Sequence, residues 1–90
     1  MRLRLSQAAQ ADLVRLNEWL GAIDGALAGD AQLAIANRLE LLLTFPAIGS
    51  PLPDGRRKIS VPRFGYLIFD RVKGGIIQVS RIHHAREDWR

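Results

Sequence analysis

Leu3 and Leu5 alternate with Arg2 and Arg4 at the start of the chain, the period-two pattern of a short, half-buried strand. The period then becomes helical. Ala9, Leu13, Leu16, Leu20, Ile23 and Leu27 recur at three- and four-residue spacings and fall on one core-facing stripe, with Ser6 placed as the N-cap. Gly21, Gly25 and Gly29 weaken the last turns, so this helix is expected to end between Leu20 and Leu27. Asp30 is expected to cap a second helix with Ile35, Leu39 and Leu42 on its inner face, and Pro46 to end it. The two make an antiparallel helical hairpin, and a hairpin alone would leave its apolar faces wet.

Residues 47–55 hold Pro51, Pro53, Gly49, Ser50, Asp54 and Gly55, the composition of a loop. Beyond them the pattern is that of strands: Lys58-Ile59-Ser60-Val61 alternates, Tyr66-Leu67-Ile68-Phe69 is a continuous β-prone run, and 76–82 is β-branched. Gly74-Gly75 supplies the positive φ angles of a tight hairpin between the last two. The order β-α-α-β-β-β predicts an α+β fold: an N-terminal strand, then an antiparallel helical hairpin packed on one face of a small, mainly antiparallel sheet of about four strands. The other face of that sheet is expected to stay open.

Ninety residues, 48% of them hydrophobic and 24% charged, suit one folded domain over 1–90. No apolar run exceeds four residues, against about 20 for a membrane span, so a soluble, cytoplasmic protein without membrane contact is expected. There is no cysteine and no histidine–carboxylate spacing suited to a metal, so no metal or cofactor is expected. Charge changes the picture more. Of the net +4, residues 1–45 contribute −1 and residues 46–90 contribute +5, which points to an acidic partner for one face.

Several segments, taken in order, resemble the RelE/ParE toxins of bacterial type II toxin–antitoxin systems. They are Ala9-x-x-Asp12-Leu13-x-x-Leu16, Phe45-Pro46-x-x-Gly49, Arg57-Lys58-Ile59-x-Val61-Pro62, Tyr66-Leu67-Ile68-Phe69-x-Arg71-Val72 and Ile76-Ile77-x-Val79-x-Arg81-Ile82-x-His84-Ala85-Arg86-x-Asp88-Trp89. The last is the most specific, and together they cover nearly the whole chain. The resemblance implies a growth-inhibiting toxin of a plasmid-stabilisation type module, neutralised by a cognate antitoxin with an acidic or amphipathic segment. It leaves two modes of action. ParE-like members bind DNA gyrase and trap its cleaved-DNA complex without catalysis, whereas RelE-like members are endoribonucleases that cut messenger RNA on the ribosome.

RNA cleavage through the 2′-hydroxyl needs an acid, a base and cations around the developing phosphorane charge. RNA-cutting members resemble one another in carrying an arginine right after the strand tyrosine; here Leu67 follows Tyr66. A leucine cannot stabilise an oxyanion. Were the chain a ribonuclease, Arg81, His83 and His84 would be the catalytic candidates, with at most one of the adjacent histidines facing the site. The family context favours Arg56, Arg57, Lys58, Arg63, Arg81, Arg86 and Trp89 as target- or antitoxin-binding residues, with Arg57 and Lys58 on opposite faces of their strand. Trp19, beside the helical stripe, either anchors an interface or covers the edge of the core. A ParE-like gyrase inhibitor is therefore the leading expectation.

Overall fold

A computed structural model describes residues 1–86. Its elements are β1 (Arg2–Leu5), α1 (Gln7–Ile23), α2 (Gly25–Thr44), β2 (Ser50–Pro51), β3 (Arg57–Val61), β4 (Tyr66–Lys73) and β5 (Ile76–His84). They form one five-stranded sheet in the order β1-β5-β4-β3-β2. The strands β2 to β5 make an antiparallel meander, and β1 lies parallel beside β5. The fold class is as expected, with one strand more than the pattern suggested, because Ser50 and Pro51 pair with Lys58 and Arg57 at the sheet edge. An edge is where a proline is tolerated, since it has no N–H to donate.

The helices run closer together than their glycines suggested. Asp24, not Asp30, makes the turn: its backbone N–H donates to Leu20 O while its Oδ1 accepts from Ala26 N at 2.9 Å. One extended residue thus stops α1 and caps α2, and Asp30 sits inside α2. Ile23 is consequently exposed and the buried stripe of α1 ends at Leu20, whereas Ile35 and Leu42 are buried as expected. Replacing Asp24 with alanine removes the cap of a 20-residue helix. It is expected to destabilise the domain by about 1 kcal/mol, seen in thermal melts as a Tm lowered by about 5 °C.

The core lies between the helical hairpin and one sheet face: Leu16, Leu20, Ala31, Ile35 and Leu42 meet Ile59, Val61, Ile68, Ile77, Val79 and Ile82. Ser6 ties the layers together, its Oγ accepting from Ala9 N and donating to Ser80 O. Ser80 is the extra residue of a bulge, since Phe69 pairs with Arg81 and Asp70 with Val79. The bulge shifts the alternation of β5, which lets Ile77, Val79 and then Ile82 all face the helices. Gly74 and Gly75 turn the β4–β5 hairpin with φ of 59° and 73°, as their sequence predicts.

Candidate functional site

Strand β1 ends at Leu5, opposite Val79, so among the described residues the rest of β5 has no strand neighbour on that side. Helix α1 fills the gap with Asp12. This residue occupies a stripe position and is 1% exposed; its Oδ2 accepts from the buried N–H of Ile82 at 2.9 Å, standing in for a strand partner. Arg81 closes a two-point pair on the same carboxylate, Nε to Oδ2 at 2.9 Å and Nη2 to Oδ1 at 3.0 Å, and Arg15 approaches Oδ1 at 3.2 Å. Burial pushes the Asp12 pKa up. The hydrogen bonds from Arg81 and Ile82, with the charges of Arg81 and His83, outweigh burial and hold it below its ordinary 3.8.

Beside this pair opens a cleft of about 890 Å³ between α1, the β3–β4 turn and the end of β5. Asp12, Arg15, Leu16 and Trp19 line one wall; Arg63, Phe64, Gly65, Tyr66, His84 and Arg86 are on the others. Tyr66 and His84, a cross-strand pair, meet edge-to-face with centroids 5.4 Å apart, and His84 Nδ1 accepts from Arg86 N. Gly65 closes the turn at φ 71°, and a Cβ there would stand 3.2 Å from His84 Nε2. Arg63 has φ 77°, the sole positive value on a non-glycine among the described residues. Such a conformation costs about 1–2 kcal/mol for a side chain that glycine or asparagine would spare. Its guanidinium lies 5.0 Å from the Phe64 centroid and 3.6 Å from Asp30.

The opposite sheet face carries a different group. Phe69 is fully buried there, outside the main core, between the Arg56 guanidinium at 4.9 Å and the His83 ring at 5.9 Å. Ser60, Leu67 and His83 form one cross-strand row, and Lys58, Phe69 and Arg81 the next. Arg56 is also paired with Asp54 at 2.8 Å. Arg57 turns to the other face, as alternation requires, and donates to Ala47 O and Gly49 O.

The expected cationic set is therefore split. Arg63, Arg86 and His84 gather at the cleft; Arg56, Lys58 and His83 belong to the open face; Arg57 braces the α2–β2 loop; Arg81 is committed to Asp12. Trp89 lies outside the described residues. Trp19, 59% exposed, is an open wall of the cleft and not a core cover. Asp12, Arg15 and Phe64 are absent from the expected site. An acid on an apolar stripe, as Asp12 is between Ala9 and Leu16, was the available signal.

A helical hairpin packed on a mixed sheet, with a cationic–aromatic cleft at one end, defines a toxin scaffold of the RelE/ParE kind. The family model for the ParE toxin of the type II toxin–antitoxin system parDE matches residues 3–89, so the chain belongs to the ParE toxin family. It is the toxin component of a ParDE-type module, whose partner is a cognate antitoxin. Among solved structures it is similar to a chain of the chromosomal ParDE system from P. aeruginosa, with a TM-score of 0.84 and 26% identity, covering 96% of this chain and 97% of that one. No curated protein matches. No helix among the described residues is long and apolar enough to cross a membrane.

Proposed function

We propose that this toxin inhibits DNA gyrase by binding and holding its cleaved-DNA complex, with no reaction of its own. The observation that carries this is Leu67. It stands where RNA-cutting relatives place an arginine, and its cross-strand neighbours are Ser60 and His83. The guanidiniums placed on that face are directed elsewhere: Arg56 to Asp54 and Phe69, Arg71 to Asp54 O, Arg81 to Asp12. The cross-strand row of Ser60, Leu67 and His83 thus contains no guanidinium, and a phosphorane requires cations around it. His84 is on the other side of the sheet, at the cleft.

Adding the purified chain to a gyrase supercoiling reaction is expected to stop supercoiling and to accumulate linear, cleaved plasmid. Undiminished supercoiling at micromolar toxin would remove gyrase as the target. New messenger RNA ends at codon spacing after induction would instead assign the chain to the ribonuclease branch, and their loss in His83→Ala would place the chemistry on the open face.

A further inference from the structure

We infer that the cleft between α1 and the β3–β4 turn binds an unpaired DNA strand, with Trp19 stacking on a base and Arg63 and Arg86 meeting the flanking phosphates. Strands of this kind are held by flat ring surfaces interleaved with cations, because every base presents a π-face and every linkage a charge. The cleft offers both. Trp19 presents an indole that is more than half exposed, and the Arg63 guanidinium is already laid over the Phe64 ring, ordered before any ligand arrives.

Among the described residues, the carboxylates at the cleft do not oppose this. Asp12 is answered by Arg81, Arg15 and the Ile82 N–H. Asp30 touches Arg63 at 3.6 Å with both side chains more than half exposed, a contact that a phosphate can displace.

The backbone of Arg63 is an independent sign. Gly55, Gly65, Gly74 and Gly75 take the other positive φ values among the described residues, yet at residue 63 the chain keeps a long cation in a conformation that disfavours it. Strain retained at an exposed loop position, where the side chain lies outside the core, marks that side chain as one in use. A purely acidic peptide would satisfy the arginines but leave the ring surfaces uncovered. A duplex keeps its bases stacked inside and has none to give Trp19. The inference rests on the gyrase reading for its purpose: a toxin gripping an unpaired strand beside the break opposes rejoining by mass action.

The test uses a fluorescein-labelled oligodeoxythymidine of about twelve nucleotides and the purified full chain, read by anisotropy at low and moderate salt. The chain is expected to bind this strand more tightly than a duplex of equal length. Trp19→Ala is expected to weaken binding at least about fivefold. Arg63→Asn is expected to weaken it and to flatten the dependence of log Kd on log salt by about one phosphate's worth, while its Tm stays at or above that of the parent because asparagine accepts the left-handed backbone. That combination separates a binding role from a structural one.

Absence of binding at about 100 µM chain, the upper range for non-specific contacts, overturns the inference. So does affinity that ignores both substitutions, a lowered Tm in Arg63→Asn, or tighter binding of a glutamate-rich peptide carrying one tryptophan, which would assign the cleft to a protein partner. Gyrase poisoning without strand binding removes this inference alone. Strand binding without any effect on gyrase supports the site and removes the gyrase reading.

Discussion

Replacing Asp12 with alanine is expected to destabilise the domain by about 3 kcal/mol or more, lowering Tm by on the order of 15 °C. The loss has three parts. Ile82 keeps a buried N–H with no acceptor, Arg81 loses a two-point carboxylate, and the packing of α1 against the free flank of β5 loses a buried polar fastener. Arg81→Ala is expected to be milder, since Ile82 N–H and Arg15 still answer the carboxylate. The double change Asp12→Leu with Arg81→Met replaces both charges by apolar volume and is expected to recover part of the loss. Urea denaturation of the parent, Asp12→Leu, Arg81→Met and the double variant forms a thermodynamic cycle. A coupling near zero would mean that the pair contributes nothing beyond its separate members.

The pH dependence of this pair has a definite sign. Asp12 has a folded pKa below its unfolded 3.8, so its contribution is fully present above 3.8 and is lost as pH falls through the lower, folded value. Toxicity should fall with Asp12→Ala even where no target contact is removed. The cleft wall formed by α1 is held to β5 through this carboxylate.

The helices, the late strands and the Gly-Gly hairpin could be read from period and punctuation, because those signals act within a few residues. The fifth strand could not: Ser50-Pro51 carries a loop composition and becomes a strand through its neighbours Arg57 and Lys58. The end of α1 at Ile23 falls inside the stretch from Leu20 to Leu27 that the glycines marked, but the cap of α2 could not be read: Asp30 was the expected residue, and Asp24 takes the place by serving both helix ends. At the site, alternation correctly put His83 and His84 on opposite faces and Arg57 opposite Lys58. The fate of Arg81 depended on a residue 69 positions away, which no local pattern encodes. The Arg63 backbone was equally hidden, since Pro-Arg-Phe-Gly names a turn without saying which residue takes the left-handed angle.

A second buried aspartate is expected to give the opposite pH response. Asp70 lies on the helix-facing side of β4, fully buried, and neither carboxylate oxygen has a hydrogen-bond partner among the described residues. Burial raises its pKa from 3.8 to about 6, against the weaker pull of Arg57 across the β3–β4 pair. The folded chain therefore holds a proton that the unfolded chain releases. Stability is greatest below pH 3.8 as far as this group is concerned, declines between 3.8 and about 6, and is level above that. The ionised carboxylate is expected to cost about 3 kcal/mol at neutral pH, since a tenfold change in proton affinity between the folded and unfolded chain is worth about 1.4 kcal/mol. Asp70→Asn removes the charge while keeping the shape, so it should be more stable than the parent at pH 7.5 and lose that advantage as pH falls to 4. Urea midpoints measured from pH 3.5 to 8 check this directly. Parallel profiles for parent and variant across pH 4 to 6 would show that Asp70 stays ionised in the fold, and would require a partner for it that its present surroundings do not supply.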